Sequence, residues 1–147
     1  GWPLDKPARA LARSICAEMH AGFLAIREEL PQNLRVRCNM DVNQLSTSCT
    51  KQIARIDEIW TDCRKKYGRS GQWLFGDFSI VDIMYAPVAL RFVTYSIPVS
   101  SLAQEFIEAV CGLESVQQWT NAAAVESESL PFIDDLVVAI DSPLTLG

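Results

Sequence analysis

The segment from Ser79 to Tyr95 constrains the fold most, because its residues are apolar on nearly every side of a helical wheel. A helix of that kind is stable in water only when other helices enclose it. Its start carries two devices. Ser79 as cap with Asp82 three residues later resembles a capping box, Asp standing in for the usual Glu, and Phe78 and Ile83 occupy the positions of a hydrophobic staple. Asp82, Pro87 and Arg91 interrupt the stretch from Ile80 to Val93, which is shorter than the roughly 20 apolar residues a bilayer demands. Pro87 is expected to kink this helix without ending it.

The surrounding sequence supplies the shell. Between Asp5 and Leu30 the apolar residues Leu11, Ile15, Met19, Phe23, Ile26 and Leu30 follow steps of three and four, the signature of one long helix with a single buried stripe. Asp5 can cap it, Pro7 is tolerated in its first turn and Pro31 stops it. After a polar connection from Gln32 to Leu45, a second long helix is predicted from Ser46 or Thr47. Its stripe is Cys49, Ile53, Ile56, Trp60, Cys63 and Tyr67; Arg64 and the other charged residues lie on the remaining faces. Gly68 suits a left-handed C-terminal cap. Shorter helices are predicted over Ser101 to Cys111 and Glu114 to Ala124, while Pro131 and Pro143 break up the tail from Ser127 onward. No internal repeat and no alternating pattern long enough for a sheet occurs. The fold class is therefore all-α, a helical bundle around a buried central helix, with residues 1–147 as one domain.

Composition narrows the function. The net charge is −5 and the isoelectric point about 4.8, which argues against a nucleic-acid surface or docking on an anionic membrane. Five cysteines (Cys16, Cys38, Cys49, Cys63 and Cys111) form no CxxC pair and no zinc spacing, and their odd number argues against a secreted disulfide framework. With a single histidine, His20, no metal is expected. Reduced thiols and the lack of a signal peptide fit a cytoplasmic protein. Ser79 and Asp82 are not read as a hydrolytic pair, because no second histidine is available as base and capping explains both. Cys16 lies in no cluster of cations and is expected to be inert. Trp60, Trp73, Tyr67 and Phe92 are either core or the lining of an apolar pocket.

Two separated motifs carry a resemblance. Gly71-Gln72-Trp73-Leu74-Phe75-Gly76-Asp77-Phe78-Ser79-Ile80-Val81-Asp82, continuing Ile83-Met84-Tyr85-Ala86-Pro87, is similar to the loop, N-capping box and hydrophobic staple before the core helix of cytosolic glutathione S-transferases. Ala12-Arg13-Ser14-Ile15-Cys16-Ala17-Glu18-Met19-His20-Ala21-Gly22-Phe23 resembles the first helix of their C-terminal domain in bacterial members, including beta-class enzymes with a Glu-x-His-x-Gly-Phe run. The likeness covers roughly residues 2 to 125, so residues 1–126 are assigned to such a domain and 127–147 to a tail of unassigned structure. Ala21 stands where beta-class members often carry Lys after the His.

The resemblance implies a helical domain that family members place after a thioredoxin-like α/β domain, which binds most of glutathione and carries the residue that activates its thiol. No such domain is present in this sequence, so the chain alone is expected to be inactive and to have no catalytic residue of its own. Its first helix would border the glutathione cleft. There Arg13, Ala17, His20 and Leu24, spaced four, three and four, would share one face. His20 would hydrogen-bond the thiol or a water, Arg13 would pair with a glutathione carboxylate, and Glu18 would meet the ammonium group across a homodimer interface. Glutathione is thus a co-substrate of the joined protein, with a small apolar electrophile as second substrate. The alternative is a standalone helical binding or scaffolding module without catalytic activity.

Overall fold

The computed structural model describes residues 1–125 and is built from helices, with the Trp73–Gly76 bridge as an isolated β-type contact. The elements are α1 (Lys6–Ala21), α2 (Leu24–Glu29), a 3-10 turn (Val42–Gln44), α3 (Thr47–Tyr67), α4 (Ile80–Thr94), α5 (Ser101–Cys111) and α6 (Glu114–Val125). The all-α reading therefore holds at the level of class. The reading of 127–147 as a tail lies outside the described residues.

α4 is the enclosed helix. Ten of its 15 residues are buried, Pro87 among them, and the helix runs through that proline to Thr94. It packs on α1 and α5, while α3 packs on α5 and α2. At the centre, the Trp60 ring of α3 meets Phe106 of α5 at 4.8 Å and Phe92 and Tyr85 of α4 at 5.5 and 6.2 Å, all four side chains being essentially solvent-free. Such tilted and edge-on pairs add to the area they bury. Trp60, Trp73 and Phe92 are thus core, whereas Tyr67 is half-buried and stacks on Phe75 at 5.6 Å.

Helix ends are satisfied across the bundle as well as locally. Asp5 accepts from Ala8 N at the start of α1, and Ser46 from Cys49 N at the start of α3. α2 and α5 have no side-chain cap of their own. α3 serves both: Gln52 Oε1 accepts from Ile26 N at 3.1 Å, and Asp57 accepts from the backbone and hydroxyl of Ser100 at 2.9 and 2.6 Å. α4 in turn holds the turn after α2, where Arg91 Nε, Tyr95 Oη and Thr94 Oγ1 donate to the carbonyls of Leu30, Pro31 and Asn33. The Ile26 and Ser100 N–H groups and the Leu30 carbonyl satisfied in this way are ones that a helix end leaves without an intrahelical partner.

Two local expectations are corrected. The stretch from Asp5 to Leu30 is two helices. Gly22, a poor helix former, ends α1 by donating to Glu18 O, and Phe23 takes φ +61°, ψ +32° before α2 begins. That conformation keeps the Phe23 side chain in the core, at 5% exposure, while turning the helix axis. Gly68 has φ −99°, so left-handedness is not why glycine stands there. A Cβ at that position would lie 2.8 Å from Arg64 Cα and 3.0 Å from Leu74 O, and close approach is what excludes a side chain.

Candidate functional site

The two motifs meet where α1, α4 and the loop before α4 come together. Within the loop, Asp82 is 1% exposed and its two oxygens divide the work. Oδ1 accepts from Leu74 N at 3.0 Å and Oδ2 from Ser79 N at 2.8 Å, while Ser79 Oγ accepts from Val81 N and the Asp82 backbone. The reciprocal box is complete, and the same carboxylate also ties Leu74 to the helix start. Burial pushes the Asp82 carboxyl up, and its N–H donors pull it partway back. Phe78 and Ile83 stay half-exposed and line one apolar cleft of about 100 Å³, with Leu90, Leu113, Val116 and Trp119 opposite.

Arg64 shapes the other half of the loop. Although counted with the polar faces of its helix, it is 7% exposed, and its Nη1 lies 2.6, 2.6 and 2.9 Å from the carbonyls of Gly68, Gly71 and Trp73. Nη2 donates to Glu105 of α5 at 2.9 Å. An arginine in the last helical turn, just before a glycine-rich loop, is the signal that points to this role.

The α1 residues are only partly brought together. Arg13 is exposed and sits over the Trp2 ring, 5.6 Å from its centroid. Glu18 is held within the chain by Arg55 of α3 in a two-pronged pair at 2.8 and 2.9 Å, and Arg55 also pairs with Glu58. That pair lowers the Glu18 carboxyl below its ordinary range. His20 is half-buried, and its Nδ1 is buried with no hydrogen-bond partner among the described residues. Leu24 is 57% exposed but lies beyond the helix break, so the regular spacing of Arg13, Ala17 and His20 does not extend to it.

A second crevice of about 340 Å³ runs beside this region, between the N-terminal segment and Tyr67, Phe75 and Phe78. Trp2, Leu4, Phe78, Ile80 and Ile83 make this end of the bundle apolar at its surface, with Leu4 91% exposed. The three buried thiols are poor nucleophiles. Burial pushes Cys16 and Cys49 up to about 11 and Cys63 to about 12, and all five cysteines are free. Among the described residues no three His, Cys, Asp or Glu side chains group as a metal site, and no helix is long and apolar enough to cross a membrane. Comparison with protein-family models, curated proteins and solved structures finds no match in any of the three.

Proposed function

We propose that this chain is the helical, substrate-side domain of a glutathione S-transferase-like protein of the cytoplasm, which transfers glutathione to a small apolar electrophile only when joined to a thioredoxin-like domain. The observation that carries the reading is the exposed apolar end formed by Trp2, Leu4, Phe78, Ile80 and Ile83. Contiguous apolar surface of this kind marks a face that another body covers. The motif loop, with its Asp82 box, supports the same placement, because it fixes Phe78 and Ile83 at that face.

In this reading the α/β domain activates the thiol and the helical chain orients. The half-buried His20 imidazole hydrogen-bonds the thiol or a bound water. Arg13, steadied by Trp2, meets a glutathione carboxylate. Glu18 shares its charge between Arg55 and the glutathione ammonium group across a two-fold dimer along α1 and α3. The cleft from Phe78 to Trp119 receives the apolar body of the electrophile.

The test is conjugation of glutathione to an activated aryl halide by the full gene product and by the chain alone. Activity in the first, its loss in the second and a fall in turnover on His20→Ala agree with the proposal. A full product that neither binds millimolar glutathione nor turns over, while remaining folded, favours the standalone module instead.

A further inference from the structure

A different cleft, of about 320 Å³, opens at the far side of α6, between the connection after α2 and the ends of α4 and α5. Its floor is apolar, from Leu90, Val93 and Val116, and Leu90 and Val116 also wall the Phe78–Trp119 cleft. Its rim is not. Gln117, Thr120 and Asn121 lie on one face of α6 at positions i, i+3 and i+4, and Arg37 completes the rim from the connection. None of the three α6 side chains makes a hydrogen bond among the described residues. Arg37 donates only to the neighbouring carbonyl of Val36 and pairs with no carboxylate among the described residues. Its charge reaches Cys111 on the cleft wall, where it works against burial of that thiol.

An apolar floor with a few converging polar groups is the usual make-up of a small-molecule site, and this volume is at the small end of the range. The unspent cation selects an anion, and the amides and hydroxyl beside it supply donors for a second oxygen. We propose that this cleft binds a small monocarboxylate with a short apolar body, its carboxylate on Arg37 and its chain along Leu90, Val93 and Val116. The site is independent of the glutathione reading and would stand if that reading fell.

The experiment is a titration of the whole chain with hexanoate, 1-hexanol and acetate, read by backbone amide chemical shifts and by the rate at which iodoacetamide alkylates Cys111. The expected result is saturable hexanoate binding that shifts the amides of Leu34, Arg37 and Asn121 and slows Cys111 alkylation. Hexanol and acetate should bind at least tenfold more weakly, and Arg37→Gln should weaken hexanoate at least tenfold without changing the amide spectrum elsewhere. Should Arg37→Gln fold poorly, Asn121→Ala is the second variant, with an expected loss of a few-fold. Equal binding of hexanoate and hexanol, shifts confined to Phe78 and Ile83, unchanged affinity in Arg37→Gln, or no saturation would each overturn the proposal.

Discussion

Replacing Asp82 by Ala removes the acceptor for two buried backbone donors at once, Leu74 N and Ser79 N. An unpaired buried N–H costs about 1–3 kcal/mol, and loss of a helix cap about 1 kcal/mol. Against this, a buried carboxylate is itself costly to keep ionised, which returns part of the loss. The net expectation is about 3 kcal/mol, which moves a urea midpoint by roughly 1.5 M for a domain of this size. Asp82→Asn keeps one acceptor oxygen and should lose about half as much, and Ser79→Ala about 1 kcal/mol. The pH dependence has a definite sign. Burial raises the Asp82 carboxyl above its ordinary 3.8, so the native state holds its proton longer than the unfolded chain. The stability lost on Asp82→Ala is therefore largest at acidic pH and shrinks as pH rises through the interval between the unfolded and folded values. Urea unfolding followed by circular dichroism across that interval measures both quantities. A cost below about 1 kcal/mol for Asp82→Ala would mean that Leu74 N and Ser79 N find other partners and that the Asp82 carboxylate does not hold this loop.

Gly71→Ala should cost more than about 2 kcal/mol by thermal or urea unfolding, since its Cβ would fall 2.2 Å from the Gly76 carbonyl oxygen. Gly112→Ala, where φ is −78° and the nearest atoms are 3.5 Å away, should instead be neutral or stabilise by up to about 1 kcal/mol. Arg55→Ala should cost no more than about 1 kcal/mol at neutral pH, the pair with Glu18 being partly exposed. Because Glu18 is lowered from its ordinary 4.5, that contribution is present above this value and disappears as pH falls through the folded one, which a pH series of unfolding curves reads directly. In native protein a thiol reagent should modify half-exposed Cys38 and Cys111 first, with Cys16, Cys49 and Cys63 reacting only after unfolding.

The sequence made the bundle legible where one physical signal acted alone. Apolarity all round α4 predicted its enclosure, and the Ser79–Asp82 spacing predicted a reciprocal cap that the backbone then forms. The break at Gly22–Phe23 was hidden because period counting records side-chain spacing, and Phe23 keeps its place in the core through a positive φ that spacing does not record. Arg64 was hidden for a similar reason. A charged residue on a polar helix face looks solvated until a glycine-rich loop folds its carbonyls onto the guanidinium. The long-range caps from Gln52 and Asp57 depend on which helices become neighbours, a property of the packed bundle. At the candidate site, the types of Arg13, Glu18 and His20 were readable. The commitment of Glu18 to Arg55, 37 residues away, was not.

The proposed function requires this helical chain to work joined to a thioredoxin-like domain. The most direct test is the intact mass of the protein isolated from its source cells, set against the 16.4 kDa of this sequence. The expected result is a clearly larger species whose additional peptides read as alternating strands and helices ahead of Gly1. A species of 16.4 kDa would contradict it.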